Sequence, residues 1–164
     1  MERIRIETYK PRYRNDFVRL NREWIERYFS IEPSDIRTFE NIDNYILGKG
    51  GQIFLAVLTN DENKEDHEEV IGCCALIPHP DRDSHELAKM AVSPRHQGHG
   101  TGLLLGNALV CYARQHGAKR LFLEGNTKLK ASIALYKKLG FTEEAVDPPT
   151  YDRCNIIMGM DLTH

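Results

Sequence analysis

The chain has 164 residues, 41% of them hydrophobic and 28% charged, which is the length and composition of one soluble globular domain covering 1–164. Its net charge of −2 argues against a general nucleic-acid binder, which is usually basic. No apolar stretch approaches the roughly 20 residues that span a bilayer, and "MERIRIETYKPRYR" lacks the apolar segment of a secretory signal.

In chain order, "RIRIETY" alternates apolar and charged residues and predicts a strand over 3–8. "NDFVRLNREWIERYF" carries Phe17, Leu20, Trp24 and Tyr28 at helical spacing. Trp24, Tyr28 and the later Tyr45 read as core rather than as walls of a site. "PSDIRTFENIDNYIL" predicts a second helical region with Ser34 as N-cap, ended by "GKGG". "QIFLAVL" and "IGCCALI" predict two strands joined by the acidic run 61–69, read as a solvated hairpin loop. "ELAKMAV" predicts a third strand after the turn "HPDRDSH". "TGLLLGNALVCYARQHG" predicts a long helix ending at Gly117. "AKRLFLEG" is a strand and "KASIALYKKLG" a short helix closed by Gly140. "FTEEAV" and "CNIIMGMDL" are final strands around "DPPTYDR".

This order, β-α-α-β-β-β-α-β-α-β-β, excludes a purely parallel doubly wound sheet. It predicts an α+β fold in αβα layers, with a mixed, mostly antiparallel sheet of about six to seven strands flanked by helices. Cys73, Cys74, Cys111 and Cys154 form no C-x-x-C pair, so no metal site or redox motif is expected. Cys73 and Cys74, inside an apolar run, read as small hydrophobes, and the sum suggests a cytoplasmic protein with reduced thiols.

Between the third strand and the long helix lies "SPRHQGHGTG", with Gly98, Gly100 and Gly102 on alternate positions. Glycine reaches backbone angles other residues resist, and a helix start offers unpaired N–H groups and a positive dipole end. Together they suit an anion, typically phosphate. The spacing G-x-G-x-x-G fails, because Leu103 or Leu105 stands at the third position, and G-x-x-x-x-G-K-[ST] fails because no lysine follows. On spacing alone, an anion site and a flexible turn capping a core helix stay equally open.

Arg95-x-x-Gly98-x-Gly100 resembles the [QR]-x-x-G-x-[GA] loop of the GNAT superfamily of N-acetyltransferases. "ELAKMAVSP" is similar to that family's fourth strand, and "SIALYKKLGF" to its A-x-x-L-Y-x-x-x-G-F segment. The resemblance covers almost the whole chain and implies a GNAT-like acyl-CoA N-acyltransferase fold. It further implies acetyl-CoA as acyl donor. The backbone of Met90, Ala91 and Val92 would pair with the pantetheine arm, and the amide of Ala91 or Val92 would polarise the acetyl carbonyl. Gln97, Gly98, His99, Gly100, Thr101 and Gly102 would cradle the pyrophosphate, with charge from Arg95.

Acetyl transfer to an amine needs a held thioester, a base for the amine, donors for the oxyanion and a donor for the leaving thiolate. The resemblance gives the thiolate donor to Tyr136; its alternative is core packing on a helix face. It places a base at Glu86, or at Glu124, twelve positions before Tyr136 as in peptide N-terminal alanine acetyltransferases. Either acts through water unless its pKa is raised. Family members often carry Asn seven positions before the tyrosine, where this chain has Leu129. Asn126 either substitutes in holding the pantetheine or, like Thr127, caps the next helix. His96 and His99 read as solvated. Arg22, Glu23, Glu32, Tyr151 and Arg153 are weak candidates for acceptor contacts.

The expectation is an acetyl-CoA-dependent N-acetyltransferase working by direct transfer to a small-molecule or peptide amine, without nucleic acid, membrane or metal; a homodimer stays open. Two rivals are a non-catalytic acyl-CoA-binding module and a nucleotide-dependent enzyme.

Overall fold

Strands whose sequences are apolar on both faces belong in a sheet covered above and below. In the computed structural model, which describes residues 2–60, 68–145 and 152–163, they are β1 (Glu2–Thr8), β2 (Gln52–Asn60), β3 (Glu69–His79), β4 (Ser84–Val92), β5 (Arg120–Gly125), β6 (Thr142–Glu144) and β7 (Ile156–Asp161). Among the described residues they form one seven-stranded sheet in the order β1-β2-β3-β4-β5-β7-β6. Every pair is antiparallel except β4 with β5. The helices are α1 (Arg14–Tyr28), α2 (Pro33–Glu40), α3 (Ile42–Tyr45), α4 (Thr101–Gln115) and α5 (Lys130–Leu139). This is the mixed α+β order expected from the sequence.

Strand alternation divides the interior into two cores. Ile53, Leu55 and Val57 of β2 and Cys73, Ala75 and Ile77 of β3 pack against Phe17, Leu20 and Ile25 of α1 and Phe39 of α2. Phe54, Ala56, Cys74 and Leu76 point the other way, onto Leu105, Leu109 and Ala113 of α4. Cys73 and Cys74 are therefore buried small hydrophobes in opposite cores, and burial pushes the Cys73 thiol up to about 12. All four cysteines are free thiols.

Two of the alternating glycines serve backbone conformation and the third serves packing. Gly98 and Gly100 hold φ of 82° and 83°, in the left-handed region where a side chain is strained. Gly102 is helical, and a Cβ there would lie 2.8 Å from a methyl of Leu135 on α5.

Other expectations are corrected. Glu32, not Ser34, caps α2: its side chain takes the cap bond and its own N–H donates to Asp35 Oδ2 at 3.0 Å. Pro33 suits the first helical position because it lacks an N–H, which sets the cap one residue before it. The second helical region breaks at Asn41, whose side chain accepts from the Asn44 N–H and starts α3. Tyr28 and Tyr45, read as core, are 39% and 37% exposed, and each carries a cation, Arg27 or Lys49, over its ring. Residues 61–67 of the acidic run and Tyr151 lie outside the described residues.

Candidate active site

The parallel pairing of β4 and β5 lasts only two positions, His85↔Leu121 and Glu86↔Phe122. Beyond them the strands part. Part of the cause is in β4 itself, where pairing to β3 slips between Cys73↔Ala91 and Ala75↔Ala88. The extra residue of this bulge re-aims the strand. At the bulge Lys89 adopts φ 55°, a left-handed conformation that costs a non-glycine residue about 1 kcal/mol or more.

The parting opens a cleft lined by Glu86 to Met90 on β4, by Glu124, Gly125, Asn126 and Leu129 at and after β5, by Ile133 and Tyr136 on α5, and by Trp24, Phe29, Arg153 and Cys154. The sequence candidates Glu86, Met90, Glu124, Asn126 and Tyr136 meet here. Trp24, read as core, forms a wall. Val92, next along the opened edge, has its own place in the ladder. Ser93 N–H donates to the Ile71 carbonyl, and Cys73 pairs with Ala91. The period of two therefore commits the Ala91 amide and carbonyl to β3 and turns those of Val92 to the open edge. This corrects the expectation that the Ala91 backbone is free for a ligand.

Both carboxylates stand on the sheet face covered by α1 and α2. Glu86 pairs with Ile77 and precedes Leu87 of the opposite core; Glu124 follows Leu123 of that same opposite core. Glu86 is buried and meets His79 Nε2 at 2.8 Å, a partner the sequence reading missed. Glu124 bonds the Cys154 thiol, which burial and that carboxylate push up. Tyr136 keeps a partly exposed surface on the cleft, while its phenol end is enclosed; burial, with Cys74 beside it, raises the phenol above its ordinary value. Its ring meets Phe141 edge-on at 6.3 Å. Asn126 gives its amide to the Arg153 carbonyl at 2.7 Å and accepts from the Lys128 N–H at 2.8 Å. It thus turns the backbone at the end of β5, and α5 has no side-chain cap.

An ion network backs the cleft. Lys89 Nζ donates to Asp35 Oδ1 at 2.7 Å, and both side chains are buried. Arg153 bridges Glu32 and Asp35, with Nη1 to each and Nη2 to Asp35, all at 2.8–2.9 Å. Burial by itself would raise the Asp35 carboxyl, but Arg153 and Lys89 hold it down at about 2. The legible signal for this network was a single lysine inside the apolar "ELAKMAV"; nothing in "PSDI" pointed to its partner.

The glycine loop lies past the open end of β4. Gly100 caps α4 with no side-chain bond, so the first-turn N–H groups are left for solvent or an anion. No heavy atom lies within 4 Å of a Cβ built at Gly98 or Gly100. His96 Nδ1 and Thr101 Oγ1 are buried in this loop without a hydrogen-bond partner. Open space, orphan donors and helix dipole fit a pyrophosphate. Gln97 donates to the Val92 carbonyl at 3.1 Å, and Arg95 is exposed and paired with Glu69 at 3.1 Å. Such a surface pair holds weakly. Among the described residues, no group of three or more His, Cys, Asp or Glu could hold a metal ion, and no helix is long and apolar enough to cross a membrane.

The model of the acetyltransferase (GNAT) family matches residues 17–141. An amino-acid acetyltransferase of Yersinia pseudotuberculosis is 38% identical over 77 residues, which are 47% of this chain and 17% of that protein's length. An acetyltransferase of the GNAT family from Staphylococcus aureus MU50 superposes with TM-score 0.85 at 23% identity, covering 98% of this chain and 100% of the other. A GNAT superfamily phosphinothricin acetyltransferase from Sinorhizobium meliloti, solved in complex with AcCoA, superposes with TM-score 0.75 at 18% identity, covering 96% and 88%. At these identities the structural likeness is one of fold.

Proposed function

The chain belongs to the GNAT family of acetyltransferases, and on that premise we propose that it moves the acetyl group of acetyl-CoA to a primary amine of a small molecule or peptide, by direct transfer in a ternary complex. The observation that carries this reading is the cleft between β4 and β5, which opens beside the glycine loop and has Glu86, Glu124 and Tyr136 on its walls.

The donor contributes an acetyl thioester, already activated toward an amine. In this reading the first turn of α4 and the loop from Gln97 to Gly102 hold its pyrophosphate. The open edge of β4, at Met90 and Val92, pairs with the pantetheine arm as an added strand does. The Val92 N–H, free of the β3 ladder, polarises the acetyl carbonyl. Asn126 is already bonded at both ends of its amide, so its contribution is to shape the cleft wall.

Glu86 or Glu124 takes the amine proton, directly or through water. His79, bonded to Glu86 and less buried, connects that carboxylate toward solvent. Tyr136 faces the leaving sulfur. Its raised phenol stays protonated at neutral pH, so it remains a hydrogen-bond donor to a departing thiolate. A covalent route through Cys154 is disfavoured: nucleophilic attack needs a thiolate, and burial beside Glu124 keeps this thiol protonated.

The test is thiol release from acetyl-CoA across amines, amino acids and peptides, with products identified by mass. Acetylated product with at least one amine is expected. Silence throughout, with CoA still bound, would replace this reading by a non-catalytic CoA-binding module. Thermal stabilisation by ATP and none by CoA would favour a nucleotide enzyme instead.

A further inference from the structure

The charges around the cleft bear on what kind of amine enters it. Among the described residues that line it, the charged side chains are Glu86, Lys89, Glu124 and Arg153. Both cations are committed inside the fold. Lys89 is 2% exposed and bonded to Asp35, and Arg153 is 11% exposed and bonded to Glu32 and Asp35. Moving either toward a ligand would leave Asp35, fully buried, without its counter-ion, and uncompensated buried charge is costly. At the rim, Lys128 turns onto the Tyr28 carbonyl and the Phe29 ring.

The carboxylates do not cancel in the same way. Glu86 meets a histidine and Glu124 a thiol, neither of which is a permanent cation. The rest of the lining is largely apolar and includes Trp24, Phe29, Leu129 and Ile133. An ammonium group therefore meets two carboxylates and an apolar wall. A carboxylate on the same carbon meets those two like charges, and both nearby cations are already bonded.

We propose that the acceptor is an amine on an apolar or aromatic body that bears no carboxylate beside the amine. This rests on the acetyl-transfer reading and narrows it. It separates this chain from the Yersinia relative named for amino acids, of which the match spans 17% of the length.

The experiment compares acceptors that share one body: 2-phenylethylamine, phenylalaninamide and phenylalanine, with tryptamine against tryptophan. The amide retains the bulk of the carboxylate without its charge. Each is assayed with acetyl-CoA for thiol release and product mass. The uncharged-body amines should exceed their amino acids in kcat/KM by about tenfold or more, because like charges brought together in a buried site repel strongly. Phenylalanine or tryptophan used as well as its partners would overturn the proposal. Transfer to other amines but to none of these five would also overturn it and leave acetyl transfer standing. No transfer to any amine would remove acetyl transfer itself. In Glu32→Gln, Arg153 loses one counter-charge, so the rate ratio of phenylalanine to 2-phenylethylamine should rise several-fold; an unchanged ratio in a folded variant would count against the charge argument.

Discussion

Tyr136 joins packing and chemistry in one side chain. Its ring packs on the α4 core and against Phe141, and its surface lines the cleft. Tyr136→Phe preserves the ring and removes the hydroxyl. Turnover should fall by roughly 10- to 100-fold, as loss of a positioned proton donor does, while acetyl-CoA affinity measured by calorimetry stays the same. Equal turnover would take the hydroxyl out of the chemistry. Gly100 carries a different burden. With φ 83° at the cap of α4 and open space where a Cβ would be, Gly100→Glu sets a carboxylate at the positive end of the helix. Acetyl-CoA affinity should drop on the order of 100-fold; retained affinity would move the donor site away from this loop.

The helices reach their places through small residues and buried charge. Gly106 on α4 lets Leu139 of α5 close in, since a Cβ there would lie 2.4 Å from a Leu139 methyl. Gly106→Val should therefore lower unfolding stability in urea by about 1–3 kcal/mol, the usual cost of overpacking. Asp35 does the corresponding work on the other face, joining α2 to Lys89 of β4 and to Arg153 before β7. Asp35→Ala strands a buried lysine and should cost about 3–5 kcal/mol. A loss below about 1 kcal/mol in the same denaturation experiment would show that water replaces the partner.

At the level of the whole molecule, Asp35 also gives a pH dependence. Its carboxyl is near its ordinary value in the unfolded chain and held at about 2 in the folded one. A depressed acid favours the folded state above the unfolded pKa, and that contribution is lost as pH falls through the folded pKa. The window is thus from about pH 4 down to about pH 2, with a loss of roughly 2 kcal/mol. Thermal melts over pH 2–6 should show this decline, and Asp35→Asn should flatten it. An equal decline in the variant would assign acid lability to other carboxylates.

The order of elements, the glycine loop and the helix bearing Tyr136 were legible in the sequence because each rests on local rules: apolar period, turn residues and helix ends. Glu86 and Glu124 could be named from strand ends, but not shown to share a face. That required the register of β3, β4 and β5. The commitment of the Ala91 backbone to β3, the bulge at Lys89, the His79–Glu86 contact and the Asp35–Lys89–Arg153 network join residues up to 118 positions apart. No local pattern encodes such pairs. The sequence by itself determined which segments are strands and helices and where an anion can rest. The tertiary structure decided which carboxylates face the cleft and which cations are already taken. The reason is physical: periodicity is set by neighbours along the chain, whereas burial and charge compensation are set by whatever the fold packs alongside.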